Sequence, residues 1–256
     1  MEVHQHTHTG DPDLHRGKKK WHHYFWEFFM LFLAVTLGFL VENQREHFVE
    51  HGRARQYALS LVDDLKNDTI AFNKLKEKYW SDIVKIDTLR KILKERPVAK
   101  IPGGTLYYYC EPTLWSIGIT FHDATIQQLK NSGNLRYFPA QLQYKISEYD
   151  RKTRELTFRQ ENEVYFSRVT REMMTGIFDA ELMISVRGLT TPEAIESFKQ
   201  ADVNMVKKDS LTLRKLVNEI IYRHASWRYR LEGIIEPTNN AAIELLADVK
   251  KAYHIE

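Results

Sequence analysis

Histidine is the residue type whose spacing in this sequence comes closest to a binding site. His4, His6 and His8 alternate near the N-terminus, and flexible imidazoles at this spacing can converge on Zn, Ni or Cu. The alternative is a solvated tail that holds no metal, because composition alone indicates metal binding only weakly. His47 and His51 are four residues apart, with Glu50 beside them, and could share a metal on one helix face. Because the His-Glu-x-x-His motif is absent, a solvated or headgroup-facing pair is favoured.

The other chemistry-bearing residue types form no recognisable catalytic pattern. The sequence contains no His-Glu-x-x-His, no Glu-x-x-His, no Gly-x-Ser-x-Gly and no phosphate-binding glycine loop. Cys110 is the single cysteine, so it cannot form an intrachain disulfide and is expected to be buried. His224 falls on an apolar helical stripe and is expected to be a core histidine. These observations predict a protein that is not an enzyme and has no cofactor.

Net charge and chain length further limit the class of protein that the sequence can encode. The chain has 256 residues with 37 Lys and Arg against 34 Asp and Glu, a net charge of +3. The basic residues are spread through the chain, which argues against a nucleic-acid surface. The length suits one good-sized domain plus an anchor.

An apolar segment near the N-terminus could be that anchor. Residues 24–41 read YFWEFFMLFLAVTLGFLV and contain one charged side chain, Glu27. A helix of about 20 residues matches the thickness of a bilayer core, which predicts a membrane span over residues 22–42. The strictly apolar run, residues 28–41, is short enough that a buried helix of a soluble protein is the alternative.

Several residues of this segment have expected roles in a membrane. Tyr24 and Trp26 stand where an interfacial aromatic belt would lie, and Glu27 is about one turn inside the edge. Ala34 and Gly38 form a small-xxx-small pair that could bring two spanning helices together.

The flanking charges predict the orientation. Arg16 and Lys18 to Lys20 precede the apolar segment without an intervening acid. The positive-inside rule therefore places a disordered, basic, histidine-rich tail (residues 1–21) in the cytoplasm and the rest of the chain outside. The segment fits an uncleaved signal anchor better than a cleaved signal peptide.

Beyond the span, helical periodicity predicts an all-α fold. A long juxtamembrane helix is expected over residues 43–96, and an antiparallel helical bundle over residues 97–256, completed by an apolar stripe of the long helix within residues 58–93. The stripe residues are seven apart: Ala58, Leu65, Phe72, Tyr79, Ile86 and Leu93. Asp68 and Asp82 interrupt the companion series, which argues against a simple two-stranded coiled coil. Asp63, Asp64 and Asp68 are interpreted as solvated charges.

Local signals predict where helices begin and end. Asp123 could cap a helix that ends before Gly133, which suits a left-handed turn residue. Pro139 is expected at the first position of a second long helix, and Thr191-Pro192 at the start of a short one. Pro237 should bend or break the last helical region.

Three segments give the chain a resemblance to a known family. They are the histidine-rich leader followed by WHHYFWEFFMLFLAVTLGFLVENQREH, then LVDDLKND, then DATIQQLKNSGNLR at residues 123–136. Together these resemble a family of single-pass bacterial membrane proteins with a histidine-rich N-terminus and a helical exterior domain. The resemblance implies a membrane-anchored helical exterior domain, and it implies no activity. Together with the orientation predicted from the flanking charges, the expected location is a bacterial inner membrane with the C-terminal domain in the periplasm.

The function expected from the sequence is a membrane-anchored helical interaction or scaffold module. Its expected partners are the lipid bilayer and either another protein or a second copy of the chain, with no role for nucleic acid. Two alternatives stay open: a ligand sensor outside the cytoplasm, and a metal-handling protein that uses the histidine-rich tail.

Overall fold

All regular secondary structure in the described part of the chain is helical. The computed structural model describes residues 21–207 and 209–256. The α-helices, in chain order, are α1 (Trp21–Glu95), α2 (Gly103–Cys110), α3 (Ala124–Asn131), α4 (Ala140–Thr175), α5 (Ala180–Ser185), α6 (Pro192–Gln200), α7 (Ser210–Arg230) and α8 (Glu236–Tyr253). Short 3-10 turns are found at Val98–Lys100, Glu111–Leu114, Asn134–Tyr137 and Val186–Gly188. The predicted all-α class is therefore confirmed.

The chain divides into two compact units after Gly52. The described part of the first unit is the beginning of α1, and none of its residues from 21 to 52 is buried. The second unit, residues 53–256, holds the core. Among the described residues, α1 is the one helix long and apolar enough to cross a membrane.

The predicted stripe of α1 forms the centre of the second unit. Ala58, Leu65, Phe72, Tyr79 and Ile86 are all buried, as heptad spacing on one helix face requires. Other parts of the same chain cover the stripe: the Phe72 ring lies 5.5 Å from that of Phe121, and the Tyr79 ring 6.3 Å from that of Trp227. The stripe is therefore not a free coiled-coil seam for a second copy.

Side-chain caps set several of the helix starts. Thr191 accepts a hydrogen bond from the Ala194 amide at 3.3 Å, and Pro192 is the first residue of α6, as its sequence predicts. Asp179 caps α5 in the same way, which the sequence analysis missed. Pro139 precedes α4 by one residue, so it occupies the cap position and not the first helical position.

The last two helices are joined without a break. A π-helical segment, Leu231–Ile235, connects α7 to α8 just before Pro237. Proline has no N–H and its ring crowds the carbonyl four residues earlier, here that of Gly233. A wider π-turn accommodates that missing hydrogen bond, so the helical path continues through the predicted break.

Candidate functional site

The residues assigned to the span lie on an exposed helix surface. Tyr24 and Trp26 are both exposed, and the Glu27 carboxylate lies 3.1 Å from Nε2 of His23. Ala34 is exposed, and a Cβ added at Gly38 would meet no atom within 4 Å. The most apolar 18-residue window of α1 has no buried residue, whereas the core helix of a soluble protein would be mostly buried.

The proposed metal ligands cannot be placed. His4, His6 and His8 lie outside the described residues. The rings of His47 and His51 are 4.6 Å apart on the exposed surface of α1. Within residues 21–207 and 209–256, no three His, Cys, Asp or Glu side chains are grouped as metal ligands.

Gly133 lies at the turn between α3 and the next 3-10 segment. Its φ is +68°, in the left-handed region that favours glycine. The α3 helix ends two residues earlier, so the backbone reverses at this glycine.

Two side chains expected in the interior are found there. Cys110 is buried, and burial raises the pKa of its thiol to about 12. His224 is 4% exposed, with Nε2 3.3 Å from Oδ1 of Asp87. Burial lowers the pKa of this imidazole in spite of the nearby carboxylate.

A closed ion network centred on Glu163 joins α4 to α7. Glu163 is 2% exposed. Its Oε1 forms an ion pair with the guanidinium of Arg223, and its Oε2 lies 3.1 Å from a guanidinium nitrogen of Arg230. The indole N–H of Trp227 donates to the same carboxylate at 2.8 Å. Because one carboxylate faces two guanidiniums, the cluster keeps a net positive charge inside the protein.

Neutral acceptors extend this network, although Nε of Arg223 has no hydrogen-bond partner among the described residues. Arg223 also donates to the Ser167 hydroxyl at 2.9 Å, the Thr170 hydroxyl at 3.0 Å and the Thr113 carbonyl. Arg230 donates to the Tyr79 hydroxyl at 3.1 Å. Buried charges persist in proteins when such contacts satisfy them. We interpret the network as a structural tie between helices, since it is closed to solvent.

A second buried carboxylate, Asp68, corrects the sequence analysis. Asp68 is not solvated: it is 1% exposed and accepts hydrogen bonds from the His122 amide at 2.8 Å and the Tyr149 hydroxyl at 2.6 Å. Asp64 accepts from the Thr125 amide in the first turn of α3 at 3.2 Å. The side chain of Asp123, the predicted cap, makes no capping bond. The Asp64 carboxylate of α1 therefore takes over the capping of α3, and Asp68 holds His122, two residues before that helix begins.

A polar cavity of about 460 Å³ lies beside α1 in the second unit. Asp82 and two lysines of α1 line one side, and the end of α2 with the chain that follows lines another. The charged and aromatic lining residues are Lys78, Asp82, Lys85, Tyr108, Glu111, Trp115 and Arg187. This size is within the range of small-molecule pockets, which measure roughly 300–1,000 Å³.

The charges in the polar cavity are partly paired. Lys78 donates to Oδ1 of Asp82 at 2.7 Å, and Nε of Arg187 lies 3.3 Å from Oε1 of Glu111. Oδ2 of Asp82 has no hydrogen-bond partner within the described part of the chain, although the side chain is 1% exposed. Burial raises the pKa of Asp82 against the opposing effect of Lys78.

An apolar cavity of about 180 Å³ adjoins the same segment. Trp115 lines both cavities, and its ring lies 4.4 Å from the guanidinium carbon of Arg187 and 5.6 Å from that of Arg171. Cation–π contacts of this kind are worth about 0.5–1 kcal/mol at exposed sites. Trp115, which is 38% exposed, forms a wall that the two cavities share.

The polar cavity is not predicted by the sequence patterns described above. One signal was available: Asp82 occupies a heptad position in line with Leu75 and Leu89, so an acid was already indicated on the buried side of α1. Glu111 and Arg187 carry no such signal, because their pairing joins residues far apart in the chain.

In comparisons with known proteins, the chain matches no family model, no curated protein and no solved structure.

Proposed function

We propose that the protein is a single-pass, membrane-anchored helical scaffold whose second unit binds a protein partner or a second copy of itself. The observation that carries the proposal is the unburied apolar segment of α1, which is long enough to cross a bilayer. The anchor is residues 22–42, in a bacterial inner membrane. The family resemblance stays a prediction that agrees with this proposal.

The topology follows from the flanking charges. The basic cluster that ends at Lys20 puts the N-terminal tail in the cytoplasm and the second unit, an antiparallel bundle, in the periplasm. Ala34 and Gly38 lie on the unburied surface of the anchor, which leaves this small-residue pair open to a neighbouring helix.

Exposed aromatic side chains on α4 support a docking role for the second unit. Phe158 and Tyr165 are 64% and 59% exposed, and their seven-residue spacing puts them on one face of the helix. Aromatic residues are enriched at protein interfaces. Large apolar side chains that lie together on an exposed surface often mark such an interface, because a partner that covers them removes them from water.

Membrane extraction and thiol labelling test the anchor and its orientation. The chain should stay with the membrane in alkaline carbonate and dissolve only in detergent. In a Cys110→Ser background, Ser147→Cys on the exposed surface of α4 should react with an impermeant maleimide in spheroplasts. Thr7→Cys should react only after lysis. Release by carbonate would overturn the anchor, and the reversed labelling pattern would overturn the topology.

Photo-cross-linking tests the docking role. A photoreactive phenylalanine analogue at Phe158 should give a discrete adduct in membranes, because this position faces outward from α4. The same analogue at Tyr222, which is exposed on α7, is the matched control. A complete absence of adducts at Phe158, or the same diffuse adducts at both positions, would contradict the docking role.

The ligand-sensor alternative is favoured by one specific observation, the polar cavity beside α1.

A further inference from the structure

Two groups in the polar cavity have charges or lone pairs that the described residues leave unmatched. Oδ2 of Asp82 has no hydrogen-bond partner there. Lys85 lies 4.9 Å above the Tyr108 ring and has no carboxylate within ion-pair distance in the described ranges. The other charges of the cavity, Lys78 and the Glu111–Arg187 pair, already have partners. One free acceptor and one free cation are therefore left on the same wall of α1.

We propose that this cavity binds a small zwitterion, a free amino acid, with its ammonium group on Asp82 and its carboxylate on Lys85. The proposal does not depend on the scaffold role. Asp82 and Lys85 lie three residues apart on α1 and line the same cavity, so one ligand can reach both. Charge-assisted hydrogen bonds to both ends would satisfy the two groups together.

Single-ended ligands match the cavity less well. A simple carboxylate could pair with Lys85 but would leave the buried Asp82 oxygen unsatisfied, which is costly in a low-dielectric site. A simple amine could pair with Asp82 but would leave Lys85 without a counter-charge.

Burial effects on Asp82 agree with this arrangement. The pKa of Asp82 is raised because the carboxylate is desolvated, and the nearby charges of Lys78 and Lys85 compensate only in part. A ligand ammonium at Oδ2 would add a further positive charge beside the carboxylate and lower that pKa.

The test uses the full chain in detergent. The common L-amino acids at millimolar concentration are screened by thermal unfolding, and each hit is measured by titration calorimetry beside two analogues, the amine without the carboxylate and the acid without the ammonium. We expect at least one amino acid to raise the unfolding temperature and to bind at least tenfold more tightly than either analogue.

Variants localise the binding. Asp82→Asn keeps the shape of the side chain, and Lys85 is only half-buried, so Asp82→Asn and Lys85→Gln should both fold, as circular dichroism would show. Each should weaken binding at least tenfold, which corresponds to about 1.4 kcal/mol. Lys91→Gln, an exposed position on the same helix and outside the cavity, should bind like the natural chain.

Three results would overturn the proposal: no amino acid binds, an analogue binds as tightly as its parent amino acid, or the folded Asp82→Asn and Lys85→Gln variants both keep full affinity. None of these results bears on the membrane extraction or the cross-linking, so failure here is separate from failure of the scaffold role.

Discussion

The Glu163 network allows a stability prediction with a defined size. Glu163→Gln removes the one negative charge that faces Arg223 and Arg230, while the amide keeps an oxygen for Trp227. Both guanidiniums are at most 8% exposed and cannot turn to water without opening the core. Breaking a buried ion pair by removing one partner costs about 3–5 kcal/mol. Since the amide still accepts one hydrogen bond, we expect about 3 kcal/mol.

Urea unfolding of the detergent-solubilised chain, followed by circular dichroism, measures this loss. With a slope of about 2–3 kcal/mol per molar urea, the midpoint should fall by roughly 1–1.5 M. Glu161→Gln is the matched control, because Glu161 is exposed on the same helix two residues away. It should change the stability by less than about 0.5 kcal/mol.

A double-mutant cycle decides whether the loss comes from the ion network. If it does, Glu163→Gln combined with Arg230→Met should cost at least about 1 kcal/mol less than the two single changes added together. The reasoning is refuted if Glu163→Gln costs no more than Glu161→Gln, or if the two single costs simply add.

Three further predictions concern local features. Gly133→Ala should lower the free energy of unfolding by roughly 1–2 kcal/mol, because φ is +68° at this position. Gly188→Ala is the control: Gly188 has open space around it and no positive φ, so the change should stay within about 0.5 kcal/mol. Urea unfolding compares the two variants. Because burial lowers the pKa of His224 in the folded chain, the unfolded chain binds more protons below its ordinary pKa of 6.5. Stability should therefore decrease as the pH falls through about 6.5, and His224→Gln should reduce that slope; equal slopes would refute this. Cys110, with its pKa raised to about 12 by burial, should react with maleimide only in urea, and labelling of the folded chain would contradict its placement.

Periodicity and local caps could be predicted from the sequence because both depend on neighbouring residues. The heptad series of α1 is buried from Ala58 to Ile86, as its spacing indicates. Thr191 and Pro192 start α6 where the sequence places them. Pro139 was misplaced by one residue, which is the usual precision of a helix boundary.

Polar contacts between distant residues could not be predicted in this way. The sequence predicts a solvated charge at Asp68, yet its partners His122 and Tyr149 follow 54 and 81 residues later. Glu163 and Arg223 are separated by 60 residues. A polar residue on an apolar helix stripe indicates only that it needs a hydrogen-bond partner. Which residue is that partner depends on how the helices pack, and the sequence pattern does not give it.

The buried carboxylates of α1, Asp68 and Asp82, fix the register of this helix in the second unit. Apolar stripes with seven-residue spacing tolerate a shift of one heptad, because one leucine can replace another. Such a shift would bring Leu75 to the place of Asp68, and the Tyr149 hydroxyl and the His122 amide would lose their acceptor. For the buried Tyr149 hydroxyl, the loss costs about 1–3 kcal/mol. It would also move Asp82 away from the cavity wall. The acids that interrupt the stripe therefore select one packing of α1, and that packing places Asp82 and Lys85 side by side on the cavity.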